Sequence, residues 1–327
     1  MDKVTFSGIQ PSGNLHIGNY LGAVRHWERG QDDGLNIFCV VDMHAITVEQ
    51  DPGTLRESTL STAALLIAAG IDPEKAILFV QSHNPDHANG AWVMNCNISM
   101  GQMSRMTQFK EKSEGKDSVS VGLFTYPALM AADILLYNTT HVPIGEDQKQ
   151  HVELARDVAQ KFNSRYGETF ILPDPVIGKT GARVMSLADP TKKMSKSDPS
   201  QSASVFLFDE PEVARKKIMA AVTDSGSEIK LSPDKPGITN LLGIYAEFSG
   251  ISAEDAESKV QGLSYSDFKG KVADVVTEKL KPLQEKYAEV RKDDAKLLAT
   301  LQGGAQKARE ISNKKLDEIY EKVGFVQ

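Results

Sequence analysis

The chain is poor in cysteine and aromatic residues and has no long hydrophobic run. Two cysteines stand among 327 residues, Cys39 and Cys96, and neither belongs to a CxxC or CxxH pattern. That scarcity argues against a disulfide scaffold and a structural zinc, and both residues read as small buried side chains. The seven histidines give one metal-like spacing, His83 and His87, but Asn84-Pro85 sets a turn between them and no third ligand is near, so no metal site is expected. No apolar stretch reaches the roughly 20 residues that cross a bilayer. Met1-Asp2-Lys3 leads straight into a strand-like segment without the regions of a signal peptide, so a cytoplasmic protein without membrane contact is expected. A basic surplus is missing too: net charge is -7, and neither the part before Asp198 nor the part after it is basic. Polyanion binders usually carry excess positive charge, so any nucleic-acid contact must use a local patch.

What is present is ordinary for a globular protein, with 40% hydrophobic and 25% charged residues. The length suits two domains. Val4 to Ile9, Leu35 to Val41 and Ala76 to Val80 are apolar and β-branched, and a segment long enough for a helix follows each. The clearest helix runs from about Pro52 to Ala69, with Gly70 as its C-cap. This alternation predicts an α/β fold, a doubly wound parallel sheet of Rossmann type whose ligands sit at the carboxyl ends of the strands. After about Ser200 helical patterns take over, in Glu210 to Val222, Ile238 to Phe248 and most of Tyr265 to Val323. A second, all-helical domain is expected there. The charged and Ser-rich segments Lys110 to Ser120 and Asp189 to Ser202 read as loops.

Gly8-Ile9-Gln10-Pro11-Ser12-Gly13-Asn14-Leu15-His16-Ile17-Gly18-Asn19-Tyr20 follows the first strand and leads into a helix-like Leu21 to Glu28. A glycine-bearing turn between strand and helix offers backbone N-H groups and a positive dipole end to an anion. His16 and Asn19 add side-chain donors, and Gly18 lets a flat ring or a phosphate approach the backbone. The spacing fits neither GxGxxG nor the Walker A loop, which disfavours a nicotinamide enzyme and a P-loop ATPase. Further along, Lys193-Met194-Ser195-Lys196-Ser197 places lysines on a Ser-rich loop. Lysines so mounted can close over a triphosphate and stabilise charge during nucleotidyl transfer.

These two segments resemble the HIGH signature, in a His-Ile-Gly-Asn form, and the KMSKS signature of class I aminoacyl-tRNA synthetases. The fit is to the bacterial-type tryptophanyl subgroup. One departure is that Asn19 stands at the family's second histidine, and an amide donates to phosphate without carrying charge. The resemblance implies that Gln10, Pro11, Ser12, His16, Gly18 and Asn19 bind ATP from one side. It implies Lys193, Met194, Ser195, Lys196 and Ser197 from the other, with Val184 near the base. Lys193 and Lys196, with Gln10 and a triphosphate contact from Lys112, are the implied catalytic groups.

Gly122 to Asn138 reads as a mostly apolar helix in which Asp133 is the only charged residue. Helical spacing gathers Tyr126, Met130, Asp133 and Tyr137 near one face. A carboxylate there needs a donor. The residues alone allow two equal readings, an internal partner or a ligand that donates, such as an indole N-H. In the tryptophanyl family the aspartate of Ala-Ala-Asp-Ile-Leu-Leu-Tyr binds the indole nitrogen, which assigns that role to Asp133. By the same resemblance Phe6, Met130, Val142 and Ile144 line the indole slot, and Tyr126 and Gln148 hold the amino and carboxylate end. Pro143 to Gln148 marks a turn entering a helix that continues to about Asn163, and Gly145, Glu146 and Asp147 are the implied ribose contacts.

The implied activity is activation of L-tryptophan with ATP and Mg2+ to tryptophanyl-adenylate and pyrophosphate, then transfer to the terminal ribose of tRNA(Trp). A homodimer is implied as well. The implied domains are 1–190, catalytic, and 191–327, the lysine loop with a helical anticodon-binding part whose last helix packs back on the first domain. Arg215, Lys216 and Lys217 are candidates for a local patch that meets the tRNA. Two alternatives stay open: another adenylating enzyme of this scaffold, such as a tyrosyl-type synthetase, and a non-catalytic RNA-binding relative.

Overall fold

Strands covered on both faces need almost unbroken hydrophobicity, and three segments supply it. They form β1 (Val4–Ile9), β2 (Leu35–Val40) and β3 (Ile77–Val80). The computed structural model describes residues 2–326 apart from Ser12, Asn14, 116–117, Glu146, Asp147, 178–183, Ser197 and Gln201, and without the side chains of Ala23, His26, Arg29, Glu111 and Lys112. With β4 (His141–Ile144) and β5 (Asp174–Ile177) the strands form a parallel sheet in the order β3-β2-β1-β4-β5. The hydrophobic pattern did not reveal β4 and β5, because each is four residues long and carries a proline, Pro143 or Pro175.

The chain order reverses between β1 and β4, and that is where an open α/β sheet leaves a crevice beyond its carboxyl ends. Among the described residues β1 and β4 pair only at Thr5 and His141, backed by the Thr140 N-H donating to the Val4 carbonyl at 2.9 Å. Past that point no ladder joins them, so Pro143 removes no bond on the β1 side. Ile9-Gln10 and Ile144-Gly145 continue from the two strand ends that flank this break.

Beyond β1, a short α1 (Ile17–Asn19) and α2 (Arg25–Gly30) are joined by a π turn over Tyr20–Val24. The expected helix from Leu21 to Glu28 is therefore widened at its start, and such π insertions recur at functional sites. After β2 comes α3 (Asp42–Ala45), then α4 (Pro52–Ala68), capped by the Asp51 carboxylate, which accepts from the Thr54 N-H. Gly70 ends that segment at φ +108. Next come α5 (Asp86–Asn97), α6 (Met100–Ser104), α7 (Thr107–Ser113), α8 (Val121–Leu135) and α9 (Lys149–Tyr166). Helix α7 occupies the first part of the segment expected to be a loop from Lys110. Cys39 is buried, but Cys96 is exposed, contrary to expectation: α5 buries Gly90, Ala91, Val93, Met94 and Asn97, and position 96 falls on its outer face.

One face of the sheet packs Phe6, Ile37, Cys39 and Val142 against α5, α8 and α9; the other packs Phe38, Val40 and Leu78 against α2 and α4. The carboxy-terminal part holds α10 (Pro211–Met219), α11 (Pro236–Ser249), α12 (Ala253–Lys259), α13 (Tyr265–Val290) and α14 (Asp294–Val323). Helices α10 to α13 share a core with Leu15, Ile17, Leu21, Val184 and Met194. Helix α14 instead serves both faces of the sheet, Leu297 and Leu301 on one and Ala305, Ala308 and Leu316 on the other. It passes the edge of β3 at Gly304, where a Cβ would lie 1.9 Å from the Leu78 carbonyl oxygen. Glycine there lets a helix cover an otherwise open strand edge. No helix among the described residues is long and apolar enough to cross a membrane.

Candidate active site

The segment after β1 is organised by its own side chains. His16 Nδ1 accepts from the Asn19 N-H at 3.3 Å, and the Asn19 side-chain oxygen accepts from the His16 N-H at 3.2 Å, a reciprocal cap. With Nδ1 accepting, the ring proton of neutral His16 resides on Nε2. Burial, then the charges of Lys196 and Lys193, push the His16 pKa down to about 4, so the ring is neutral at pH 7. Thus His16 and Asn19 first stabilise the turn, and each keeps one donor group, Nε2 and the amide nitrogen, for a ligand. A Cβ on Gly18 would lie 3.0 Å from the His16 ring and 3.4 Å from Val184, so glycine keeps the approach to this turn open.

Val184 and the lysine loop belong to one backbone unit. The Met194 N-H donates to the Val184 carbonyl at 3.0 Å and the Ser186 N-H to the Lys192 carbonyl at 2.8 Å. Asn240 of α11 clamps Met185, accepting from its N-H at 2.8 Å and donating to its carbonyl at 3.0 Å. The same unit reaches the first segment, because the Ile17 N-H donates to Val205 at 3.0 Å and the Leu207 N-H to Leu15 at 2.8 Å. Lys193 is exposed and Lys196 half-buried. Burial lowers the Lys196 pKa to about 8. The Met194 side chain is 2% exposed and anchors the loop in the helical core, which leaves its backbone as the part that can face a ligand. A cavity of about 570 Å3 opens between Val184, Met185 and Pro190 on one side and Pro236, Asn240 and Ile244 of α11 on the other.

At the opposite side Asp133 is buried in α8, 1% exposed, and is met by three donors. Its Oδ1 accepts from Gln81 Nε2 at 2.7 Å and pairs with His87 Nδ1 at 2.6 Å; its Oδ2 pairs with His44 Nε2 at 2.8 Å. Burial alone would raise its pKa, but the hydrogen bonds from His44 and His87 outweigh that and hold it well below the usual carboxylate range. A carboxylate offers about four acceptor sites, so three donors leave one on Oδ2. His44 stands edge-on to Tyr126, with ring centroids 6.1 Å apart. The Tyr126 hydroxyl bonds His151 Nε2 at 2.7 Å and Gln108 at 3.3 Å. Phe6 and Val142 are buried, and Ile144 and Met130 are half-buried beside them in the same core.

The structure thus brings His16, Gly18, Val184, Lys193 and Lys196 together, and Phe6, Met130, Val142 and Ile144 into one core beneath Asp133. Gln10 is exposed and Pro11 buried just past β1. Gly145 accepts from the Gln148 N-H at 3.0 Å in the turn after β4, and the Ser195 carbonyl accepts from Ser204 at 3.0 Å. Ser12, Glu146, Asp147 and Ser197 lie outside the described residues, as does the side chain of Lys112 in α7. Sequence reasoning missed His44, Gln81 and His87. A signal existed, since Gln81 directly follows β3 and His44 lies in α3 just past β2, at the sheet end where ligands bind, and a lone carboxylate in an apolar helix demands donors. The patch Arg215, Lys216 and Lys217 does not form: Arg215 pairs with Asp274, and Lys217 with Asp209 at 2.7 Å. Neighbouring residues on a helix point in different directions, so three in a row cannot share one face.

Residues 2–281 match the family described as tRNA synthetases class I (W and Y). The chain is 54% identical over 325 residues to a tryptophan-tRNA ligase of Caldanaerobacter subterraneus subsp. tengcongensis, covering 99% of both. It is similar to a solved tryptophanyl-tRNA synthetase from Mycoplasma pneumoniae, with TM-score 0.91 and 35% identity over 100% of this chain and 99% of that one. The same holds for one from Campylobacter jejuni complexed with ADP and tryptophan, with TM-score 0.86 and 35% identity over 98% and 100%.

Proposed function

The chain belongs to the class I aminoacyl-tRNA synthetases of the tryptophan group, and from that premise we propose how its own residues divide the work. It is a tryptophan-tRNA ligase: tryptophan and ATP give tryptophanyl-adenylate and pyrophosphate, and tryptophan then passes to the 3' ribose of tRNA(Trp). The reaction needs no protein nucleophile. Positioning and charge stabilisation carry it, because the substrate carboxylate itself attacks the α-phosphorus.

In the proposed division, ATP enters as its Mg2+ complex over Gln10, Pro11 and the turn of His16, Gly18 and Asn19, its base against Val184. Lys193 and Lys196 neutralise charge on the phosphates as pyrophosphate leaves. The backbone bonds that tie the lysine-loop unit to the His16 turn, Met194 to Val184 and Val205 and Leu207 to Ile17 and Leu15, carry this reading. The cavity between Pro190 and α11 gives the lysine loop room to move. The remaining acceptor site of Asp133 takes the indole N-H, with Phe6, Met130, Val142 and Ile144 around the ring and Tyr126 and Gln148 toward the amino and carboxylate end. A ligand without that N-H would leave the site one bond short.

Residues 1–190 act as the catalytic domain and 191–327 as loop and tRNA-binding domain, in the cytoplasm, where ATP and tRNA are at hand. A homodimer is part of the proposal. Its support is Trp92 of α5 and Met100 of α6, large apolar side chains left 66% and 72% exposed. Amino-acid-dependent ATP-pyrophosphate exchange across the twenty amino acids tests the whole. Exchange with tryptophan alone is expected; equal exchange with tyrosine would overturn the pocket.

A further inference from the structure

Behind Asp133 runs a chain of buried polar groups that the reaction does not itself require. Asn84 is fully buried, and its side-chain oxygen accepts from the Asp86 N-H at 3.1 Å. A backbone N-H can only donate, so this contact fixes the amide and turns its nitrogen outward. That nitrogen donates to the Tyr137 hydroxyl at 3.0 Å and to the Ser312 hydroxyl at 2.9 Å. Ser312, in α14, passes its own proton to the Asp86 carboxylate at 2.6 Å. Tyr137, which accepts from Asn84, lies 2.8 Å from His87 Nε2, and a neutral imidazole there takes the hydroxyl proton as acceptor. An ionised Asp133 can only accept, so the neutral His87 ring carries its proton on Nδ1, donates it to Asp133 at 2.6 Å and accepts at Nε2. The bonds branch at Asn84, one arm ending on Asp86 and the other on Asp133, and each member lies within the core.

We propose that α14 is a positioning element of the tryptophan site: Ser312, which accepts from Asn84, anchors the amide from which hydrogen bonds run through Tyr137 and His87 to Asp133, so that the His87 tautomer is fixed and Asp133 Oδ1 stays occupied, leaving Oδ2 for the substrate. The proposal rests on Asp133 as the indole acceptor. Its logic is competition for a carboxylate. If His87 shifted its proton to Nε2, its Nδ1 lone pair would face Asp133 Oδ1, and the carboxylate would turn to recover a donor. Helix α14 is held rigidly enough for this task, because Gly304 rests against the Leu78 backbone and Leu297, Leu301, Ala305 and Ala308 fill both sheet cores. Tyr137 is fixed from the other side by its stack on Phe6, centroids 5.7 Å apart.

The test compares wild type, Tyr137→Phe, Ser312→Ala and Ser312→Thr in pyrophosphate exchange, with tryptophan and with an isostere whose indole N-H is replaced by sulfur. Tyr137→Phe should raise the tryptophan KM about tenfold and cut discrimination against the isostere by a similar factor, with kcat falling less than KM rises. Ser312→Ala should move both in the same direction by a smaller factor, and Ser312→Thr, which keeps the hydroxyl, should restore them. Nitrogen-15 NMR of the histidine rings should show His87 protonated on Nδ1 in wild type and a mixture in Tyr137→Phe. A purely structural role would lower thermal stability and leave discrimination and tautomer in place, and that result overturns the proposal. Wild type that fails to discriminate against the isostere would instead overturn the role of Asp133.

Discussion

The two ends of the crevice are built in opposite ways, which under the proposed division suits one to a charged ligand and the other to an apolar one. At the phosphate end the charges stand on a loop, Lys193 is exposed, and the partners are backbone groups and a neutral His16. At the tryptophan end the single charge is buried in a helix and already holds three donors before any ligand arrives. A polyanion brings its own charge and its product must leave, so movable lysines suit it. A side chain recognised by one N-H needs a dry, preset acceptor, since water would compete for the bond. Rate should therefore depend chiefly on the loop, and choice of amino acid on Asp133 and the groups that hold it.

The sharpest way to break this contrast is Asp133→Ala, which should lower kcat/KM for tryptophan about 1000-fold while ATP binding persists. It also strands His44, Gln81 and His87, which should cost about 3 kcal/mol of stability in denaturant titration. Unaltered tryptophan kinetics in a folded variant would refute the pocket. Next in size, Lys196→Ala should reduce kcat for pyrophosphate exchange about 100-fold, with tryptophan affinity, measured by equilibrium binding, left in place; a raised tryptophan Kd would blur the division of labour. The smallest effect is on pH. Burial sets the Lys196 pKa at about 8, so in free enzyme its charge is present below that pH and lost above it. The kcat/KM for ATP should decline above pH 8, by about tenfold per unit at the limit. Lys196→Arg, charged throughout this range, should flatten that limb.

Local pattern was enough for much of this protein. The β1 to β3 runs and α4 follow from periodicity, and the two phosphate segments from residues contiguous in the chain. Strands β4 and β5 were hidden because short proline-bearing segments carry no alternation to read; Pro143 is tolerated because, among the described residues, β1 and β4 pair only at Thr5 and His141. The shell of Asp133 was hidden for a different reason. Gln81, His87 and His44 lie 52, 46 and 89 positions away and converge only through the sheet. His87 stood out in the sequence as half of a metal-like pair, and its partner proved to be a carboxylate.

By itself the sequence determined the α/β class, the placement of a glycine-bearing turn after the first strand, the lysine loop and the presence of one carboxylate in an apolar helix. Short-range regularities fix such features, since they depend on a few neighbouring residues. Only the tertiary structure decided what that carboxylate does. How far Asp133 pairs inward depends on the donors that other elements bring to it: three reach it, and the fourth acceptor position is the one the proposal gives to the indole N-H.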